Sequence, residues 1–202
     1  MKYIQFTYVD FATRIPVSKE PAKRGPDIPE GITPTFAVES SFGQVPVLYG
    51  IAEDEFEPEE WMVEVTEGDF YAAFKQELKE RASKKRKMLE QGGVVVGGNT
   101  IQTTVEDQNR VSNMVAGLNI TPEATQVDFE YAPGQWTVIT REEATAIGQA
   151  VFNHVQLCFT WCKDVHAKVD AILTLEDALP VVEEIAFASS DTLYPATETE
   201  EA

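Results

Sequence analysis

The tetrad Thr140-Arg141-Glu142-Glu143 constrains this chain more than any other stretch of its sequence. A hydroxyl residue followed three positions later by Glu is a capping box, in which each side chain bonds the other residue's backbone N–H and so starts a helix. Behind it Ile147, Val151, Val155, Cys158, Cys162, Val165 and Val169 recur at three- and four-residue spacing. That period predicts one helix running to about Ile172 with a single apolar face. Such a stripe serves core or helix–helix contact before it serves a cofactor. It is not a strict heptad of Ile and Leu, so a trimer seam along this helix is an open alternative.

The rest of the chain predicts an α+β protein: a small β-rich N-terminal module followed by a helix, β-hairpins and the long C-terminal helix. Alternating residues from Tyr3 to Val9, then Thr35–Ser40, Val45–Ile51 and Trp61–Val65, have the β-branched and aromatic content of short strands. Pro16, Pro21, Pro26, Pro29 and Pro34 mark a long surface loop between them. Residues 53–60 hold six acids in eight positions around Phe56, an exposed loop or a docking site for a basic partner with Phe56 as its apolar anchor. Thr66 and Asp69 open a helix over about Gly68–Leu89, with Phe70, Phe74, Leu78 and Ala82 on one face. Its second half gathers Lys79, Arg81, Lys84, Lys85, Arg86 and Lys87, where cations favour the helix C-terminus, and Gly92-Gly93 ends it.

Val94–Val96 and Ile101 flank a turn at Gly97-Gly98-Asn99, the signature of a hairpin rather than of a phosphate loop. A short amphipathic helix over 104–118 follows, then a second hairpin pairing Val127–Tyr131 with Gln135–Ile139. After the long helix, Thr174 and Asp177 start a short helix through Glu184, expected to break near Pro180. The domains expected are a β-rich adaptor module at 1–66, an α+β domain at 67–188 and an acidic flexible tail at 189–202.

Charge and motif content narrow the function. Thirty-four acidic residues against sixteen basic ones give a net charge of −18, which opposes nucleic-acid phosphate and anionic membranes. The cationic cluster at 79–87 covers little more than two helical turns without aromatic platforms, so it is expected to pair with the chain's own acids or with another copy. Residues 1–10 lack the pattern of a signal peptide, and no apolar run reaches the roughly 18–20 residues of a membrane span. The chain is expected to be made in the cytoplasm, without membrane insertion.

Cys158 and Cys162 are core-facing thiols by spacing; a zinc site would have to add His154 and His166 in one row along one helix, which cannot wrap a tetrahedral ion. An intermolecular or redox role for the two thiols is the alternative. The histidines lie over three turns apart and cannot share a proton relay. No hydrolase, zinc-protease, calcium-loop or deaminase signature is present, and no pair of carboxylates stands out as an acid/base couple. The sequence therefore points to no catalytic, cofactor-binding or metal-binding residue, and an enzyme is not expected.

Between about residues 81 and 172 a series of landmarks occurs in a distinctive order: Lys85-Arg86, Gly92-Gly93-Val94, Ile101-Gln102-Thr103, the small helix Asn109–Gly117, Gly134-Gln135-Trp136-Thr137, Thr140, and His154-Val155-Gln156-Leu157-Cys158-Phe159. This order resembles an uncharacterised C-terminal domain of tail-fibre and tail-associated proteins of tailed bacteriophages. Thr104 stands where that pattern has an acid, and Val127-Asp128-Phe129 lacks its tryptophan. Hairpin packing accounts for Gln102, Thr103 and Trp136 without a ligand.

The resemblance implies a place rather than a reaction. The expected protein is a structural component of the virion tail, at the tail tip, baseplate or tail-fibre base. It is expected to act through contacts with other phage tail proteins and to form a homo-oligomer, with a trimer among the closed forms such attachments take. A tail-fibre assembly chaperone is the alternative, followed by an acidic inhibitor of a host defence protein.

Overall fold

Ten strands and five helices are found in the described residues: β1 (Lys2–Thr7), β2 (Val9–Asp10), β3 (Ile15–Pro16), β4 (Ile32–Val38), β5 (Val47–Ala52), β6 (Val63–Val65), α1 (Glu67–Glu90), β7 (Val94–Val96), β8 (Asn99–Ile101), α2 (Val105–Ile120), β9 (Gln126–Ala132), β10 (Gln135–Thr140), α3 (Arg141–Asp170), α4 (Leu175–Phe187) and α5 (Ser190–Leu193). The structure, a computed structural model, describes residues 1–7, 9–10, 15–16, 31–38, 47–59, 62–132 and 134–194. Most of the proline-rich loop, residues 39–46, Trp61, Pro133 and residues 195–202 of the expected tail lie outside that set. The architecture is the expected α+β arrangement.

By packing, the chain divides into Met1–Leu78 and Lys79–Ala202. The sequence suggested a boundary at 66/67; the observed division falls inside α1 because its first turns belong with the strands. Phe70 and Phe74 project onto rings from the sheet: Phe70 lies 4.7 Å from Tyr3 and 5.3 Å from Phe36, and Phe74 lies 5.0 Å from Phe36.

That sheet has the order β4-β5-β1-β6, with antiparallel pairing throughout. Alternation along β1 sends Tyr3 toward the α1 rings and Ile4 and Phe6 to the other face, where they cluster with Ile32, Leu48, Ala52 and Met62. Gly50 pairs with Ile4, and a Cβ there would meet Ile32 Cγ2 at 2.5 Å and the Thr33 carbonyl at 2.9 Å, so only glycine lets β4 lie this close. Pro34, read from sequence as loop, lies within β4 at a register shift. An edge strand tolerates proline there because no ladder donor is lost.

The second unit is built around α3. Its capping box is formed: the Glu143 N–H donates to Thr140 Oγ1, and the Thr140 N–H donates to Glu143 Oε2 at 2.7 Å. Arg141, the first residue of α3, turns its guanidinium toward the end of α2 and donates to the carbonyls of Leu118, Thr121, Pro122 and Ala124. It thereby supplies donors to the chain end that α2, with no basic residue in its last turn, cannot cap itself. Gly148 permits close approach of α2, since a Cβ there would meet Val115 Cγ2 at 2.7 Å.

Ala144, Ile147, Val151, His154, Cys158, Trp161, Cys162, Val165 and Val169 form the buried row of α3. The first three pack with Ile101, Val111, Leu118, Phe129 and Ile139 in one core. This stripe is covered by the chain's own packing, so it cannot also serve as a trimer seam.

Two further expectations are corrected. The helix at Pro180 does not break: α4 continues to Phe187, because Pro180 and Glu176, whose carbonyl loses its partner, both face solvent. Residues 190–193, expected at the start of a flexible tail, form α5 instead, and Leu193 is buried. No helix among the described residues is long and apolar enough to cross a membrane.

Candidate functional site

The sequence marks no catalytic group, so the most chemically capable side chains of the fold have to be judged by their surroundings. These are the two His/Cys pairs of α3. His154 is almost fully buried, with Nε2 at 3.1 Å from the Leu89 carbonyl and Nδ1 at 2.9 Å from the Tyr194 hydroxyl. A carbonyl only accepts, so Nε2 carries the proton and Nδ1 accepts from Tyr194. His166 repeats the motif twelve residues on, with Nε2 at 3.1 Å from the Lys79 carbonyl and 3.4 Å from the Ser83 hydroxyl. The pairs 154/89 and 166/79 run in opposite senses, so the two imidazoles fasten α3 antiparallel to the C-terminal half of α1. Lys79 with Asp170 at 2.6 Å and Arg86 over the Phe159 ring at 4.2 Å complete that seam.

Cys158 lies 4.0 Å from His154 Nε2 and Cys162 lies 3.6 Å from His166 Nε2, spacings that invite comparison with a nucleophile and its base. The chemistry is wrong for it. Burial pushes the Cys158 thiol up to about 11, Glu90 adds to the rise and Arg86 opposes it. His154 Nε2 donates its N–H to the Leu89 carbonyl and offers no lone pair to the thiol. Both cysteines are free and buried, as core-facing thiols should be. Among the described residues no three His, Cys, Asp or Glu side chains gather where they could hold a metal ion.

Three cations of α1 are drawn into the chain's own contacts, one of the outcomes the charge balance suggests: Lys79 pairs with Asp170, Arg86 with Glu90, and Lys85 donates to the Ala186 carbonyl. Phe56 does not stand out as an anchor for a partner. It packs half-buried against the core of its own unit, and its carbonyl accepts from Lys2 Nζ at 2.9 Å. Glu53, Asp54, Glu55, Glu57 and Glu59 around it are exposed.

The landmark residues separate into two kinds. Thr103 is fully buried and accepts the Gly93 N–H at 2.8 Å, which ties the first hairpin to the entrance of α2. Trp136 is 65 % exposed, so hairpin packing does not account for it. It shares the outer face of β10 with exposed Val138, opposite Glu130 and Asp128 of β9. A second exposed apolar region lies on α4 and its flanks, at Leu173, Leu179 and Phe187.

Sequence reasoning missed Tyr194, Arg141 and the outer face of α4. Tyr194 sits in a stretch read as tail, and its only sequence signal is an aromatic among polar residues. Arg141 lies inside a capping tetrad whose other members explain the motif. The α4 face is a second three- and four-residue row in the sequence, masked by the break expected at Pro180.

A family model described as "Domain of unknown function (DUF4376)" matches residues 73–188. No curated protein and no solved structure matches the chain.

Proposed function

This chain belongs to the DUF4376 family, and we propose that it is a non-enzymatic structural component of a bacteriophage tail, placed at the tail tip, baseplate or fibre base and acting through protein–protein contacts. The observation that carries the reading is the ordered set of landmarks from Lys85-Arg86 to the His154–Phe159 segment, which resembles the C-terminal domain of tail-associated phage proteins. Those landmarks lie in one unit, Lys79–Ala202. Support of a different kind comes from the surface. Trp136 and Val138 stand out on one hairpin face beside Glu130 and Asp128, and α4 presents a second apolar face. Exposed apolar patches with polar rims are characteristic of protein–protein contact.

In this reading the His/Cys row is structural: it fixes the helices that display the binding faces. Partners are other tail proteins and further copies of the chain, with a trimer as one closed form. Antibody labelling of purified particles under the electron microscope tests the placement. Label at the tail is the expected result. Unlabelled particles from lysates that contain the chain would overturn it and favour an assembly chaperone that leaves before the virion is complete.

A further inference from the structure

Helix α4 has apolar residues on two sides. Ala178, Val181 and Ile185 are buried within the unit. Leu175, Leu179, Val182 and Ala186 recur at four, three and four residues on the adjoining face. Leu179 is 61 % exposed, Ala186 is exposed, and Leu175 and Val182 are half-buried. Leu173 before the helix and Phe187 at its end extend the apolar surface. A helix with this much apolar surface on two sides is characteristic of one covered on both.

The charges around this row identify what covers it. Glu176 and Glu183 flank it, both exposed, and α4 contains no Lys or Arg. Two such faces set against each other would repel, so the matching surface must combine apolar contact with positive charge. The chain has one on α1 between Lys79 and Lys87, where Lys79, Lys85 and Arg86 are engaged within the chain but positive charge remains at the surface. There Lys84 and Lys87 are exposed beside Met88, itself largely exposed. Within one chain the ends of α1 and α4 are already adjacent, Lys85 Nζ lying 3.2 Å from the Ala186 carbonyl. Yet Leu179, Lys87 and Met88 stay open to solvent, so intramolecular packing does not satisfy them.

We propose that the outer face of α4 docks on the Lys84–Met88 face of α1 in a second copy of this chain. Because the two patches are neighbours in one chain, a twofold pairing makes the contact twice, α4 of each copy on α1 of the other, while a heterologous arrangement closes into a ring when the rotation per copy permits. The proposal deepens the oligomeric part of the function above and specifies the surface that forms it.

Sedimentation velocity on the full chain across the micromolar range tests it. The expected result is a closed oligomer of the 22.4 kDa chain that dissociates as salt is raised. Leu179→Glu should give a monomer with unchanged helical circular dichroism. Glu183→Lys and Lys87→Glu should each weaken association about tenfold, and the two together should restore it. A wild-type monomer at every concentration, an oligomer indifferent to Leu179→Glu, or a charge swap without rescue overturns the proposal. Because the readout is mass in solution, its failure leaves the labelling of particles untouched, and unlabelled particles leave this surface untouched.

Discussion

In Met1–Leu78 the rings of Tyr3, Phe36, Tyr49, Phe70 and Phe74 meet over a four-stranded sheet, with Phe36 stacked on Tyr49 at 4.6 Å. In Lys79–Ala202 an apolar core around the start of α3 is joined by polar side chains reaching backbone carbonyls: Arg141 at the end of α2, His154 at Leu89 and His166 at Lys79. The first unit depends on apolar area brought together from distant parts of the chain. The second adds to its apolar core the satisfying of helix ends and two imidazoles. The difference implies that the two units fail differently, through cavities in one and through orphaned polar groups in the other.

The largest effect expected from a single change follows from the ring cluster. Phe70→Ala removes a fully buried ring that meets Tyr3, Phe36 and Tyr49, and should cost about 3–5 kcal/mol. Hydrogen exchange should show protection lost across residues 1–78 and retained in α3; equal loss in both units would erase the contrast. Next comes Arg141→Met, which keeps the side chain's length and removes its donors. A cost of about 2–3 kcal/mol in urea unfolding is expected, and Arg141→Lys should recover only part of it because an ammonium cannot span several carbonyls in a fixed fork. Full recovery by Lys would mean that charge alone, without the fork, holds the end of α2.

Thr140→Ala should cost about 1 kcal/mol by breaking the capping box of α3, measured by the same unfolding curves. The smallest effect is confined to alkaline pH. Both shifts are upward, so each group holds its proton longer in the folded chain, and the stability it adds is present below the unfolded value and lost as pH rises. For Cys158 that window runs from 9.0 to about 11, and for Tyr3, raised by burial and by its Glu67 partner, from 10.0 to about 12. Cys158→Ala should abolish only the lower window. Persistence of that window in the variant would assign it to another group.

How much of this was legible depended on whether the information was local. Thr140, Thr174 and Thr66 announce their helices because cap and partner lie three residues apart, and all three caps are formed. Gly97 and Gly98, at φ 57° and 83°, mark the first hairpin by the backbone they permit. The order β4-β5-β1-β6 was not legible, since pairing Ile4 with Gly50 is a long-range choice that alternation alone does not encode. The packing division inside α1 is a long-range choice of the same kind: α1 is one uninterrupted helix in sequence, and contacts to the distant Tyr3 and Phe36 join its first turns to the strands. Of the candidate surfaces, Trp136 was noticed for its place in a pattern, while its exposure became apparent only in the fold. The acidic rim beside Leu179 and the cationic end of α1 were both readable as charges, but not as complementary faces of one molecule.

The proposed residence in the tail is tested most directly by quantitative mass spectrometry of highly purified particles, calibrated against a tail protein of known copy number. The prediction is a fixed, whole-number ratio to that protein in every preparation, unchanged by further purification. Loss of the chain on purification, with the tail proteins retained, would contradict it.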